Sequence, residues 1–148
     1  MKLKIYYFTI SYNTFTGLDD QTHILIRLEA EAKLQIQQLI RDGQHQLIWS
    51  YILDYENAKN PYVERGEQIG TWKRYARIDI TESPELLQRA NQFSQLGLKK
   101  MDALHLACAV TAKADAFLTT DKSILKKAAV VQSVRIQDPI DFIRELFP

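Results

Sequence analysis

At 148 residues, with 46% hydrophobic and 25% charged side chains, the chain has the size and composition of one globular domain and is not a disordered polymer. Lys plus Arg number 19 and Asp plus Glu 18, a formal net charge of +1, which excludes a uniformly basic binder of nucleic acid or anionic membrane. A neutral total still permits a local basic patch facing a local acidic pocket.

The single cysteine, Cys108, has no partner for an internal disulfide, which fits a reducing compartment. The apolar run from Ile5 to Ile10 follows Lys2 and Lys4 but is too short for a signal segment. No apolar stretch approaches the roughly 18 residues of a membrane span. The chain therefore reads as soluble and cytoplasmic. With no repeat, low-complexity tract or linker, residues 1–148 read as a single domain.

Leu3–Ile10 (LKIYYFTI) is apolar on both faces and rich in β-branched and aromatic residues, the pattern of a buried parallel strand. Asn13–Gln21 carries Gly17, Asp19 and Asp20 and reads as a loop ending in a helix cap. From Thr22 to Asp42 apolar residues recur at helical spacing, with Gly43 as the stop. Gln46–Ser50 (QLIWS) predicts a second strand, Tyr51–Asn57 a short helix, and Tyr62–Tyr75 another helix beyond Pro61. Ala76–Ile80 alternates weakly, as a strand or an extended connection. Ser83 and Pro84 are the cap and first turn of a helix through Gln95. Lys100–Lys113 is the strongest helical segment, followed by a strand at Ala116–Thr120 and a short helix from Lys122. A strand at Val134–Gln137 and a helix from Pro139 close the chain. Alternating strands and helices predict a three-layer α/β/α domain around a mostly parallel sheet. In such a sheet, function collects at the carboxyl ends of the strands.

Three carboxylates fall at those ends: Glu56 after the second strand, Asp102 at the start of the strongest helix, and Asp121 after AFLTT. Carboxylates from different strand ends can share one divalent cation, because Mg²⁺ takes oxygen ligands and keeps several waters. Each residue also has a plain reading. Asp102 suits a first-turn partner of the helix dipole, Asp121 an N-cap, and Glu56 a solvated carboxylate.

The segment DALHLACAVTAKADAFLTTDKSIL resembles the C-terminal signature of PIN-domain proteins, metal-dependent ribonuclease folds that include many bacterial toxin nucleases. WSYILDYENAKNP resembles the stretch carrying that family's acidic residue on its second helix, and KLKIYYFT resembles its first strand. The resemblance spans essentially the whole chain. It implies an Mg²⁺- or Mn²⁺-dependent endoribonuclease with Glu56, Asp102 and Asp121 as catalytic metal ligands and Thr9, Thr119 and Thr120 in support. RNA, an antitoxin-like protein and a second copy of the chain are the partners it implies. Lys99, Lys100 and Lys122, with Lys126 and Lys127, would flank the pocket and hold RNA phosphates, or else form a solvated helix face.

One position departs from the pattern. PIN proteins end the first strand with a hydrophobic residue, Asp and Thr; here it reads Tyr7, Phe8, Thr9. A benzyl group cannot ligate a cation and would desolvate the remaining carboxylates, opposing their charged form. The sequence therefore predicts a PIN-like fold with a damaged metal site and weak or absent cleavage; the alternative is a non-catalytic RNA- or protein-binding module. Asp19 and Asp20 read as loop and cap residues before the long helix, the alternative being that one swings in from the loop to replace the missing ligand. His105, one turn after Asp102, is expected to pack against the sheet, His23 and His45 to lie on the surface, and Cys108 to fill the core. The stretch Arg65, Trp72, Lys73, Arg74, Tyr75 and Arg77 is basic and aromatic, with Trp72 expected to pack inward.

Overall fold

The computed structural model describes residues 2–7 and 21–148. The elements run β1 (Lys4–Tyr7), α1 (Gln21–Arg41), β2 (Gln46–Ser50), α2 (Tyr51–Ala58), α3 (Val63–Lys73), β3 (Ala76–Ile80), α4 (Pro84–Gln95), α5 (Lys100–Thr111), β4 (Ala116–Leu118), α6 (Lys122–Leu125), β5 (Arg135–Gln137) and α7 (Pro139–Leu146). The five strands form one parallel sheet in the order β3-β2-β1-β4-β5. β1 is central: Tyr6 lies opposite Ile48 of β2 on one side and Phe117 of β4 on the other.

From β1 the chain winds outward through β2 and β3, then returns to β4 on the far side. The reversal of direction at β1 opens a crevice at the carboxyl ends of β1 and its neighbours. Helices flank the sheet, with α1 packed on α7 and α4 on α5. The buried core is the apolar strand run (Ile5, Leu47, Ile48, Trp49, Phe117, Leu118) closed by Ile36, Leu86, Leu106 and Ile124. Cys108 is buried there, and burial pushes its thiol up to about 12, an inert core sulfur.

Local chemistry sets the element ends. Gly43, at φ 75°, terminates α1, with Gly43 N–H donating to Ile40 O at 3.1 Å. Ser50 caps α2 and Ser83 caps α4, each accepting from the amide three residues on, with Pro84 in the first turn. β4 ends at Leu118, short of the expected Thr120, because Thr119 turns the chain: its Oγ1 accepts the Asp121 N–H at 3.0 Å. α5 ends at Thr111, short of Lys113, which takes a left-handed φ of 57°. The expectation of an exposed His45 is corrected. Its ring is buried, because Nδ1 accepts the Leu3 N–H at 3.0 Å and the ring stands edge-on to Phe142. Trp72 is buried as expected, with the Arg41 guanidinium over its ring at 4.8 Å. No helix of the described residues is long and apolar enough to cross a membrane.

Candidate functional site

The three carboxylates come to the carboxyl edge of the sheet on three separate elements. Glu56 lies on α2, directly after β2; Asp102 is in the first turn of α5; Asp121 is the residue that leaves β4 and caps α6. α5 runs back against the strand direction, so its N-terminus meets the strand ends where α2 and α6 begin.

Asp102 is buried. Desolvation raises its pKa above the ordinary carboxylate value, and the negative charge of Asp121, with a smaller contribution from Glu56, pushes the same way. His105 and Lys99 oppose that rise. Asp121 moves in the other direction. The Ser123 hydroxyl donates to its Oδ1 at 2.6 Å and the Ser123 N–H at 2.8 Å, and these bonds lower its pKa, with Lys99 adding to them. Two neighbouring carboxyls with pKa values driven apart mark a place where chemistry can be done.

Glu56 is held differently. His105 is fully buried in α5, and its Nε2 meets Glu56 Oε1, while its Nδ1 lies 2.6 Å from the Tyr6 hydroxyl. The Tyr6 hydroxyl in turn lies 2.7 Å from Ser50 Oγ. The two ring nitrogens of His105 thus join the Tyr6 hydroxyl to the Glu56 carboxylate and fix the orientation of the imidazole. Stacking of Tyr6 on Phe117, with ring centroids 5.4 Å apart, fixes the phenol in the sheet. Burial raises the Tyr6 pKa well above the usual phenol value, so its proton stays in place. This chain of polar groups ties β1, β2, α2 and α5 together beneath the crevice.

The sequence-predicted residues are thus only partly assembled. Asp102 and Asp121 interact as a pair, Glu56 is drawn to His105, and among the described residues no group of three His, Cys, Asp or Glu is arranged to hold a metal. Thr119 is buried and supports the backbone at Asp121; Thr120 is half-buried beside it. Lys99 is exposed and acts on both aspartates, whereas Lys100, Lys122 and Lys126 are exposed and contribute to neither shift. Lys127 is half-buried, its Nζ turned toward Gly97. Phe8, Thr9, Asp19 and Asp20 lie outside the described residues, as does the side chain of His23.

Tyr6 and Ser50 were not singled out as site residues. The signal for them is a tyrosine in an otherwise apolar buried strand, since its hydroxyl must find a partner.

No protein-family model matches the chain, and no curated protein matches it. Among solved structures, the crystal structure of VapBC2 from Rickettsia felis bound to a DNA fragment from their promoter contains a chain of similar fold. The identity is 13%, the match covers 92% of this chain and 98% of that one, and the TM-score is 0.55. At that identity the likeness is one of fold: the parallel α/β architecture is PIN-like, as the motifs led one to expect.

Proposed function

We propose that the chain, folded as one PIN-like domain, derives from Mg²⁺- or Mn²⁺-dependent endoribonucleases and that its cleavage of RNA is impaired by Phe8. The observation that carries the reading is the Asp102–Asp121 pair at the crevice, one carboxyl pushed up by burial and its neighbour, the other held down by hydrogen bonds. An all-oxygen pair under mutual repulsion fits a hard divalent cation that keeps most of its waters. Asp102 and Asp121 would hold the ion, with Glu56 facing it across His105. Such an ion supplies an activated water and stabilises charge developing on a phosphodiester. Lys99, with Lys100 and Lys122 on the same rim, would position RNA phosphates, and Thr119 and Thr120 hold the strand end that carries Asp121.

The fold shared with VapBC2 supports an antitoxin-like protein as a partner, and resemblance to toxin nucleases supports a homodimer in the cytoplasm. A second reading, a non-catalytic RNA- or protein-binding module, is favoured by the capture of Glu56 by His105, which occupies a would-be ligand.

The test is RNA cleavage with Mn²⁺ by the chain itself, by Phe8→Asp, and by Phe8→Asp combined with Asp102→Asn. The proposal expects weak or no cleavage by the first, a gain of at least about tenfold in the second, and its loss in the third. Cleavage by the unaltered chain equal to that of Phe8→Asp removes the impairment. Silence in all three, with a melting temperature insensitive to millimolar Mn²⁺, leaves the binding module.

A further inference from the structure

The opposite, amino edge of the sheet carries a second concentration of charge. A cavity of about 330 Å³ opens there, lined by Lys2 before β1, Arg41 at the end of α1, His45 at the start of β2, and Arg74, Tyr75 and Arg77 around the start of β3. No Asp or Glu among the described residues lines it. Among the described residues none of the four cations forms an ion pair. Asp42 and Asp115, near the same edge, do not line the cavity; Asp42 accepts the Gln38 amide, and Asp115 accepts the Lys4 N–H.

We propose that this cavity is a binding site for an oligophosphate anion, two or three linked phosphate groups. Helix-dipole compensation accounts for Arg41 and Arg74, which sit at the carboxyl ends of α1 and α3. It does not account for Lys2 or Arg77, which sit at the amino ends of β1 and β3 and not at a helix end. Neutralisation elsewhere on this surface is done with carboxylates: Lys73, beside Arg74, is 2.9 Å from Asp54 and 3.9 Å from Asp79. No carboxylate among the described residues lining the cavity answers the four like charges, which leaves a positive potential that favours an anion from solution.

The arginines are prepared for that task. The Arg41 guanidinium carbon lies 4.8 Å from the Trp72 ring centroid and that of Arg74 5.6 Å from Tyr75, so cation–π attraction favours these positions at the cavity before any ligand arrives. The planar guanidinium fork matches the oxygens of a phosphate and loses little freedom on binding. The volume, at the small end of the range for small-molecule sites, suits a compact anion of high charge.

The experiment is calorimetric titration of the whole chain at low salt with inorganic tripolyphosphate. Two oligoribonucleotides of one sequence are titrated alongside, one ending in a 5′-triphosphate and one in a 5′-hydroxyl. One-to-one binding of tripolyphosphate is expected. Arg77→Gln should weaken it about tenfold and Lys2→Gln several-fold, while Arg144→Gln on α7 leaves it unchanged. Arg77 and Lys2 are exposed, so these variants fold. Preference for the triphosphorylated oligomer identifies an RNA end as the source of the anion. Equal, weaker binding of both oligomers identifies a free oligophosphate. No saturable binding at millimolar tripolyphosphate, binding unaltered in Arg77→Gln, or equal displacement by oligoglutamate overturns the proposal.

Discussion

The two edges of one sheet gather like charges by opposite means. At the carboxyl edge the charges are negative and one of them is drawn out of water: Asp102 is buried, while the half-buried Asp121 and the exposed Glu56 act against its ionisation. At the amino edge the charges are positive and left in water, with Lys2, Arg41, Arg74 and Arg77 all exposed around an open cavity. The same connectivity produces both, since helices end where strands begin at one edge and begin where strands end at the other. The difference lies beneath the surface. Under the carboxyl edge runs a polar chain from Ser50 to Glu56 through Tyr6 and His105; under the amino edge, His45 fastens Leu3 by one bond. Stability is therefore committed at the first edge and spared at the second.

Substitution at the buried link should show the largest effect. His105→Ala removes a fully buried ring, leaves the Tyr6 hydroxyl without one partner, and releases Glu56. A loss of about 3 kcal/mol is expected, a fall in melting temperature of roughly 6–12 °C. Arg77→Gln at the amino edge should change unfolding by no more than about 0.5 kcal/mol without anion. Urea unfolding of both variants checks the contrast, which fails if the two losses are alike.

How much of this was legible in the sequence depends on the range of the determining contact. β2, β3 and the start of α4 fall where Gln46–Ser50, Ala76–Ile80 and the Ser83-Pro84 pair place them, because alternation, capping and a proline are local signals. The burial of His45 was illegible: it depends on an amide 42 positions earlier in the chain. The Tyr6 network joins residues 44 and 99 positions apart, and no spacing rule reports such a contact. Asp121 is instructive in another way. The structure shows the helix cap, and the cap leaves the site reading open: the hydrogen bonds from Ser123 favour the ionised carboxyl near Asp102.

The next effect is smaller and of opposite sign. Asp102 has a folded pKa raised by burial and by Asp121, so at neutral pH its ionised form opposes folding. Asp102→Asn keeps the shape and removes that opposition. Without divalent metal it should stabilise the chain by about 1 kcal/mol. Metal reverses the balance, because a cation bound only by the native state adds stability that the asparagine variant forgoes. Unfolding of both proteins in EDTA and in Mn²⁺ tests the point. A variant less stable than the parent in EDTA would show that Asp102 serves packing and that the pair is not under electrostatic strain.

The smallest effect separates the edges by pH. Burial lowers the pKa of His45 from its ordinary 6.5, and the positive charge of the chain's terminal amine pushes it the same way. Protonation would also cost the bond in which Nδ1 accepts the Leu3 N–H. The unfolded chain therefore binds a proton that the folded chain refuses. Stability from His45 is whole above about pH 6.5 and is lost as pH falls through the lower folded value. Between pH 7.5 and 5.5 the unaltered chain should lose more stability in urea than His45→Gln, and the difference vanishes if the ring titrates alike in both states. An oligophosphate in the cavity would reverse the local field and let His45 accept its proton. The acid loss should then shrink in saturating tripolyphosphate, whereas Mn²⁺, proposed for the other edge, should leave it unchanged.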